Sequence, residues 1–121
     1  MQHALQAYSN AARNTVDPRE REASLLLKAA SQLQNIKDSW SEEREPLHRA
    51  LHYNRKLWSV FVSSVGRPEN PLPREVKNNI ASLGLFIFGR TVEIQARPAP
   101  EKLNVLIAIN REIAAGLRHG G

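Results

Sequence analysis

Between Val76 and Ile94 the apolar residues repeat in two registers at once. Val76, Ile80, Leu83, Ile87 and Ile94 fall on one side of a helical wheel. Ala81, Leu85, Phe88 and Val92 fall on another, well over a quarter turn away. A surface helix needs one apolar stripe, so a helix with two requires cover from two directions. The second cover comes either from the chain's own last helix or from a different protein.

The rest of the pattern is helical too. Leu5, Tyr8 and Ala12 share a face over Gln2–Asn14, which predicts a short first helix. Asp17 is a cap, Pro18 suits the first helical position, and Glu20 stands where a capping box needs its carboxylate. Ala23, Leu26, Leu27, Ala30 and Leu33 then form a stripe, which Leu25, Ala29, Ile36 and Trp40 widen to about half the cylinder. After the polar break Ser41-Glu42-Glu43-Arg44-Glu45, Pro46 opens a helix carrying Leu47, Leu51, Trp58, Phe61, Val62 and Val65. Gly66 and Pro68 end it. The proline-rich connector Arg67–Pro73 is expected to be stiff and extended, with Asn70 as cap of the two-faced helix. A second connector, Ala96–Pro100, precedes a last helix with Leu103, Leu106, Ile107, Ile113, Ala114 and Leu117, and Val105 and Ile109 on its flank.

The fold predicted is all-α: a single-domain bundle of four to five helices over residues 1–117, with two proline-rich corners and a tail, 118–121, that frays. Phe86-Ile87-Phe88 has strand propensity, but the four-residue spacing around it favours helix.

Composition narrows the classes. At 121 residues the chain is long enough to bury a core without staples, and it has no cysteine, so disulfides and thiolate metal sites are excluded. No apolar run approaches the ~20 residues of a membrane span, and Met1–Tyr8 lacks the basic start and apolar block of a signal peptide. A cytoplasmic protein is expected. The net charge of +5 invites a nucleic-acid reading. Its distribution weakens it: residues 1–60 carry nine basic and seven acidic side chains, residues 61–121 eight and five, and the signs interleave.

Candidate chemistry is sparse. Asn54 and Asn110 each follow a core leucine by seven residues, Leu47 and Leu103, and so sit on apolar stripes. A buried amide without a partner costs about 1–3 kcal/mol. The economical solution is that the two amides, or one amide and a backbone group, satisfy each other and fix helix register. His48 and His52 share a helix face near Glu45, a spacing zinc uses, but no further ligand is evident, so solvent-facing histidines are the expectation. There is no phosphate loop, nucleophile elbow or cysteine nucleophile, and Ser63-Ser64 has no base nearby in sequence. Neither an enzyme nor a cofactor is expected. Phe86 lies on the polar arc of its helix with Asn79, Ser82 and Glu93, where an aromatic is either tucked under a connector or offered to a partner. Leu85, Phe86, Phe88, Val105 and Ile109 together form the candidate partner-binding set.

An ordered set of residues resembles the FlaF-type flagellar biosynthesis regulators of alphaproteobacteria. It runs Ala7-Tyr8, Lys28-Ala29-Ala30, Trp40, Asn54 with Leu57-Trp58, and Asn70-Pro71-Leu72-Pro73. It continues through Leu83 with Leu85-Phe86, Arg90-Thr91, Pro100-Glu101-Lys102-Leu103, Ile107 with Asn110, and Ile113–Leu117. The resemblance implies a non-enzymatic cytosolic factor needed for flagellin production and filament assembly. It implies action after transcription, in opposition to FlbT, which restrains flagellin translation, or as a chaperone holding flagellin before export. Flagellin, FlbT or both are thus the expected partners. Direct binding of flagellin messenger RNA is the alternative function, and a homodimer burying the second face against itself is a further option.

Overall fold

The computed structural model describes residues 17–119. Four α-helices follow one another: α1 (Pro18–Asp38), α2 (Glu45–Val65), α3 (Arg74–Ala96) and, after a 3₁₀ turn at Pro100–Leu103, α4 (Asn104–His119). No strand occurs among the described residues, and the chain is an all-α bundle. The helix expected over Gln2–Asn14 lies outside the described residues, as do Gly120 and Gly121.

α1 begins as its sequence dictates. The Asp17 carboxylate accepts from the Arg19 backbone N–H at 3.0 Å, and Pro18 occupies the first turn, where a missing N–H costs nothing. Glu20 does not close a capping box. Its carboxylate turns instead to Arg118, accepting from Nε at 2.9 and 3.0 Å. That contact carries α4 through Arg118 and His119, beyond the point where fraying was expected.

Two helix pairs make the bundle: α4 lies chiefly on α1 and α3 on α2, while α1 and α2 join the pairs. Leu26, Leu33, Leu51, Trp58, Ile87, Ile94, Leu103 and Leu106 are fully enclosed between them. Trp58 meets Phe61 edge-on, ring centres 5.8 Å apart, an arrangement that aligns ring edge with ring face. The α2–α3 crossing is close because Gly84 faces it: a Cβ there would collide with Val62 Cγ2.

Both corners are tied down by polar contacts. Asn70 does not cap α3, whose first turn follows Pro73 without a side-chain cap. Asn70 Oδ1 accepts from the Leu72 N–H at 2.9 Å, its Nδ2 donates to Ser64 Oγ at 3.1 Å, and its own N–H bonds back to the Arg67 carbonyl. The first half of this connector is therefore a turn strapped to the end of α2, not an extended segment. At the second corner Lys102 Nζ donates to the Arg97 carbonyl at 2.7 Å and to Glu93 Oε2 at 2.6 Å, which folds the 3₁₀ turn against α3.

Candidate interaction surface

The two apolar registers of α3 have different fates. Ile80, Ile87 and Ile94, with Gly84 and Thr91 between them, are buried. The Thr91 hydroxyl satisfies itself on the Ile87 carbonyl at 2.7 Å. The second register stays at the surface. Leu85 is 71% exposed and Val92 63%, Ala81 and Phe88 are half-buried, and Gly89 between them is open to solvent. Isolated exposed leucines are ordinary; a row of apolar residues over three turns of one helix is less so.

The ridge runs beside α2. At one end Arg74, Lys77, Asn78 and Ala81 face Val62, Val65 and Gly66 across a shallow depression. At the other, Gln95 meets Glu45, His48, Arg49, His52, Tyr53 and Lys56. The two helices are thus antiparallel, with Lys56 on the surface shared with Gln95 and the exposed Arg55 one position before it on α2. Arg55, Lys56, Arg74 and Lys77 form no ion pair among the described residues. The carboxylate on this seam, Glu45, is already engaged by Arg49 at 3.4 Å. Glu75 lies on the other flank of α3 with Asn79 and Ser82.

The structure does not bring the five sequence-selected residues into one patch. Leu85 and Phe86 are neighbours in sequence and so point about 100° apart around the helix. Phe86 is 44% exposed, with the Arg90 guanidinium 5.5 Å from its ring centre. Arg90 in turn holds Glu93 at 3.3 Å, so the ring belongs to the network that ties down the second corner. Val105 and Ile109 are half-buried against the core. Their row on α4 continues to Ile113, which lines a groove of roughly 300 Å³ with Val76, Asn79 and Ile80 of α3. That side of α3 is the one turned away from Leu85. Helix periodicity sets the flank each residue of α3 joins, and tertiary packing decides which flank is covered. Leu85 and Phe88 therefore stand with Val92, which the sequence set lacked although it shares their register. The cations of the seam were missed because they come from two helices and meet only when α2 and α3 pair.

Asn54 and Asn110 are fully buried. Asn110 Nδ2 donates to Asn54 Oδ1 at 2.7 Å, and Trp58 Nε1 donates to Asn110 Oδ1 at 2.9 Å. The structure corrects the reading of His48, which is half-buried with its Nε2 enclosed and unpartnered rather than solvent-facing. His52 is exposed beside Arg55, 3.1 Å from its guanidinium. Among the described residues no three metal-ligating side chains gather. Ser64 Oγ is occupied by Asn70. No helix of the described residues is long and apolar enough to cross a membrane.

Burial raises the pKa of Glu22, with Arg19 opposing and Asp17 assisting that shift. The hydrogen bond from Lys102 is the main cause that lowers that of Glu93, partly offset by desolvation and reinforced by Arg90. Glu22 lies in the first turns of α1 and Glu93 at the second corner, and neither stands on the apolar ridge.

No curated protein and no solved structure matches the chain. The family model described as flagellar protein FlaF matches residues 4–117, nearly from end to end. On that match, in agreement with the all-helical architecture, the chain belongs to the FlaF family of flagellar proteins.

Proposed function

We propose that this protein promotes flagellin synthesis or secretion by binding a protein partner, flagellin itself or FlbT, in the manner of a chaperone and without catalysis. The observation that carries the reading is the uncovered second register of α3, with Leu85 and Val92 exposed, in a chain of a flagellar family. A folded protein that leaves such a row in water gains by covering it, and a helix laid along the row is the simplest cover. Burying the two side chains, each still about two-thirds exposed, would contribute about 1–2 kcal/mol each.

Co-expression with the flagellin and the FlbT of the same bacterium tests the proposal. Stoichiometric co-purification of either is the expected result; recovery of the protein alone under both conditions overturns it. A second reading, direct binding of flagellin messenger RNA, draws on Arg55, Lys56, Arg74 and Lys77, which form no ion pair among the described residues. It requires an affinity for that RNA that falls steeply with salt, as counterions are released at each phosphate contact.

A further inference from the structure

We infer that the α2–α3 seam is a docking site for an amphipathic helix whose apolar face is bordered by carboxylates. The inference rests on the proposed binding role and adds the surface and the chemistry of the partner. The ridge from Ala81 to Val92 rises about 16 Å along the helix axis, the length of three turns. It matches a partner segment with apolar residues at helical spacing.

Charge selects among occupants. Arg55 and Lys56 stand on the α2 bank, Arg74 and Lys77 beside one end of the ridge, and none has a carboxylate partner among the described residues. A helix flanked by Asp or Glu gains complementary contacts along its length and a faster encounter. A second copy docking by the same face would set these cations against their own counterparts, so self-association here is opposed. An RNA strand would use the cations but leave Leu85 and Val92 wet, since base stacking needs aromatic platforms and the ridge offers aliphatic side chains.

Two designed peptides of about five turns separate these cases. Both carry the same leucine stripe; one is flanked by glutamate, the other by lysine. The glutamate peptide is expected to shift backbone amide resonances within 55–62 and 74–92, and to bind at least about tenfold more tightly than the lysine peptide. Leu85→Glu together with Val92→Glu should weaken it by about tenfold or more. Both positions are exposed, so the variant retains its fold, which its amide spectrum checks. No binding of the glutamate peptide, equal binding of the two peptides, shifts confined to other helices, or displacement by a uridine oligonucleotide or by anionic phosphatidylglycerol vesicles would overturn the assignment. The same variant in the flagellin and FlbT co-expression keeps the two ideas apart. Partner capture that survives the substitutions sinks the seam and leaves the binding role standing. Peptide docking without capture of either partner does the reverse.

Discussion

Asn110 Nδ2 donates to Asn54 Oδ1 at 2.7 Å, joining α4 to α2 where solvent does not reach. The two residues are 56 positions apart, on helices whose main partners are others. Trp58 extends the chain by donating its indole N–H to Asn110 Oδ1, so Asn110 is the centre of the relay and Asn54 its end. The buried Nδ2 of Asn54 has no partner. A polar relay of this kind stabilises only when its geometry is kept, which makes it a device for fixing register.

The two asparagines should therefore differ in cost. Asn110→Leu strands the Trp58 N–H and the Asn54 Oδ1, leaving the whole Asn54 amide without a partner, and should destabilise by about 3 kcal/mol or more. Asn54→Leu removes its own unpartnered N–H along with the acceptor, and should cost about 1–2 kcal/mol. The double variant should cost less than the sum, because the groups belong to one network. Urea unfolding of the three variants measures this; equal single-variant costs would remove Asn110 from the centre.

Much of the frame is legible because it is local. The Asp17-Pro18 start, the proline corners and the isoleucine stripe of α3 all follow from neighbours within one or two turns. The seven-residue spacing from Leu47 to Asn54 and from Leu103 to Asn110 likewise places both amides on faces that the bundle buries. What is not local is not legible. Glu20 looks like a capping-box carboxylate until Arg118, 98 positions away, takes it. Asn70 looks like a cap until its Oδ1 accepts from the Leu72 N–H inside the connector, while its Nδ2 ties back to Ser64. Val105 and Ile109 look free until the bundle closes and leaves them half-buried against its core. Gly84 was the overlooked signal for the α2–α3 approach: a lone glycine in the buried register of a helix marks a close neighbour.

Two glycines of α3 should respond in opposite senses to the same substitution. Gly84→Ala places a methyl against Val62, whose branched side chain has little rotamer freedom in a helix, and should cost about 1–3 kcal/mol through overpacking. Val62→Ala in the same chain should recover most of the loss. Gly89→Ala meets nothing within 4 Å and should stabilise by about 0.5–1 kcal/mol, since alanine loses less backbone entropy in a helix. Thermal unfolding followed by circular dichroism gives all three signs.

Arg118 and Glu20 clasp the end of α4 to the start of α1 with the guanidinium against both carboxylate oxygens. The pair is partly exposed, so Arg118→Ala should cost no more than about 1 kcal/mol, and less at high salt. Its local effect should be larger than its global one. Amide exchange should quicken over the last turn of α4 and the first turn of α1 while the Trp58 region keeps its protection. Unchanged exchange at both ends would show that the apolar contact of Leu117, not the clasp, holds the terminus.

Acid should act on Glu93 and Glu22 in opposite directions. The Glu93 pKa lies below the ordinary value of 4.5, chiefly through the Lys102 hydrogen bond. Its folded form favours the ionised carboxylate, so its stabilisation is present above that ordinary value and is lost as pH falls through the lower, folded one. Glu22 is shifted upward by burial, so it favours folding most below 4.5 and loses that contribution as pH rises through its raised value. Glu93→Gln should therefore lower the unfolding midpoint near neutral pH but have little effect in strong acid. Glu22→Gln should raise the midpoint near neutral pH, since a neutral amide escapes the desolvation of the charge, and that gain should vanish in acid. Urea midpoints across the acid range check both signs. Absence of any Glu93→Gln deficit near neutral pH would mean that the second corner is held by the Lys102 bond to the Arg97 carbonyl, not by the Glu93 charge.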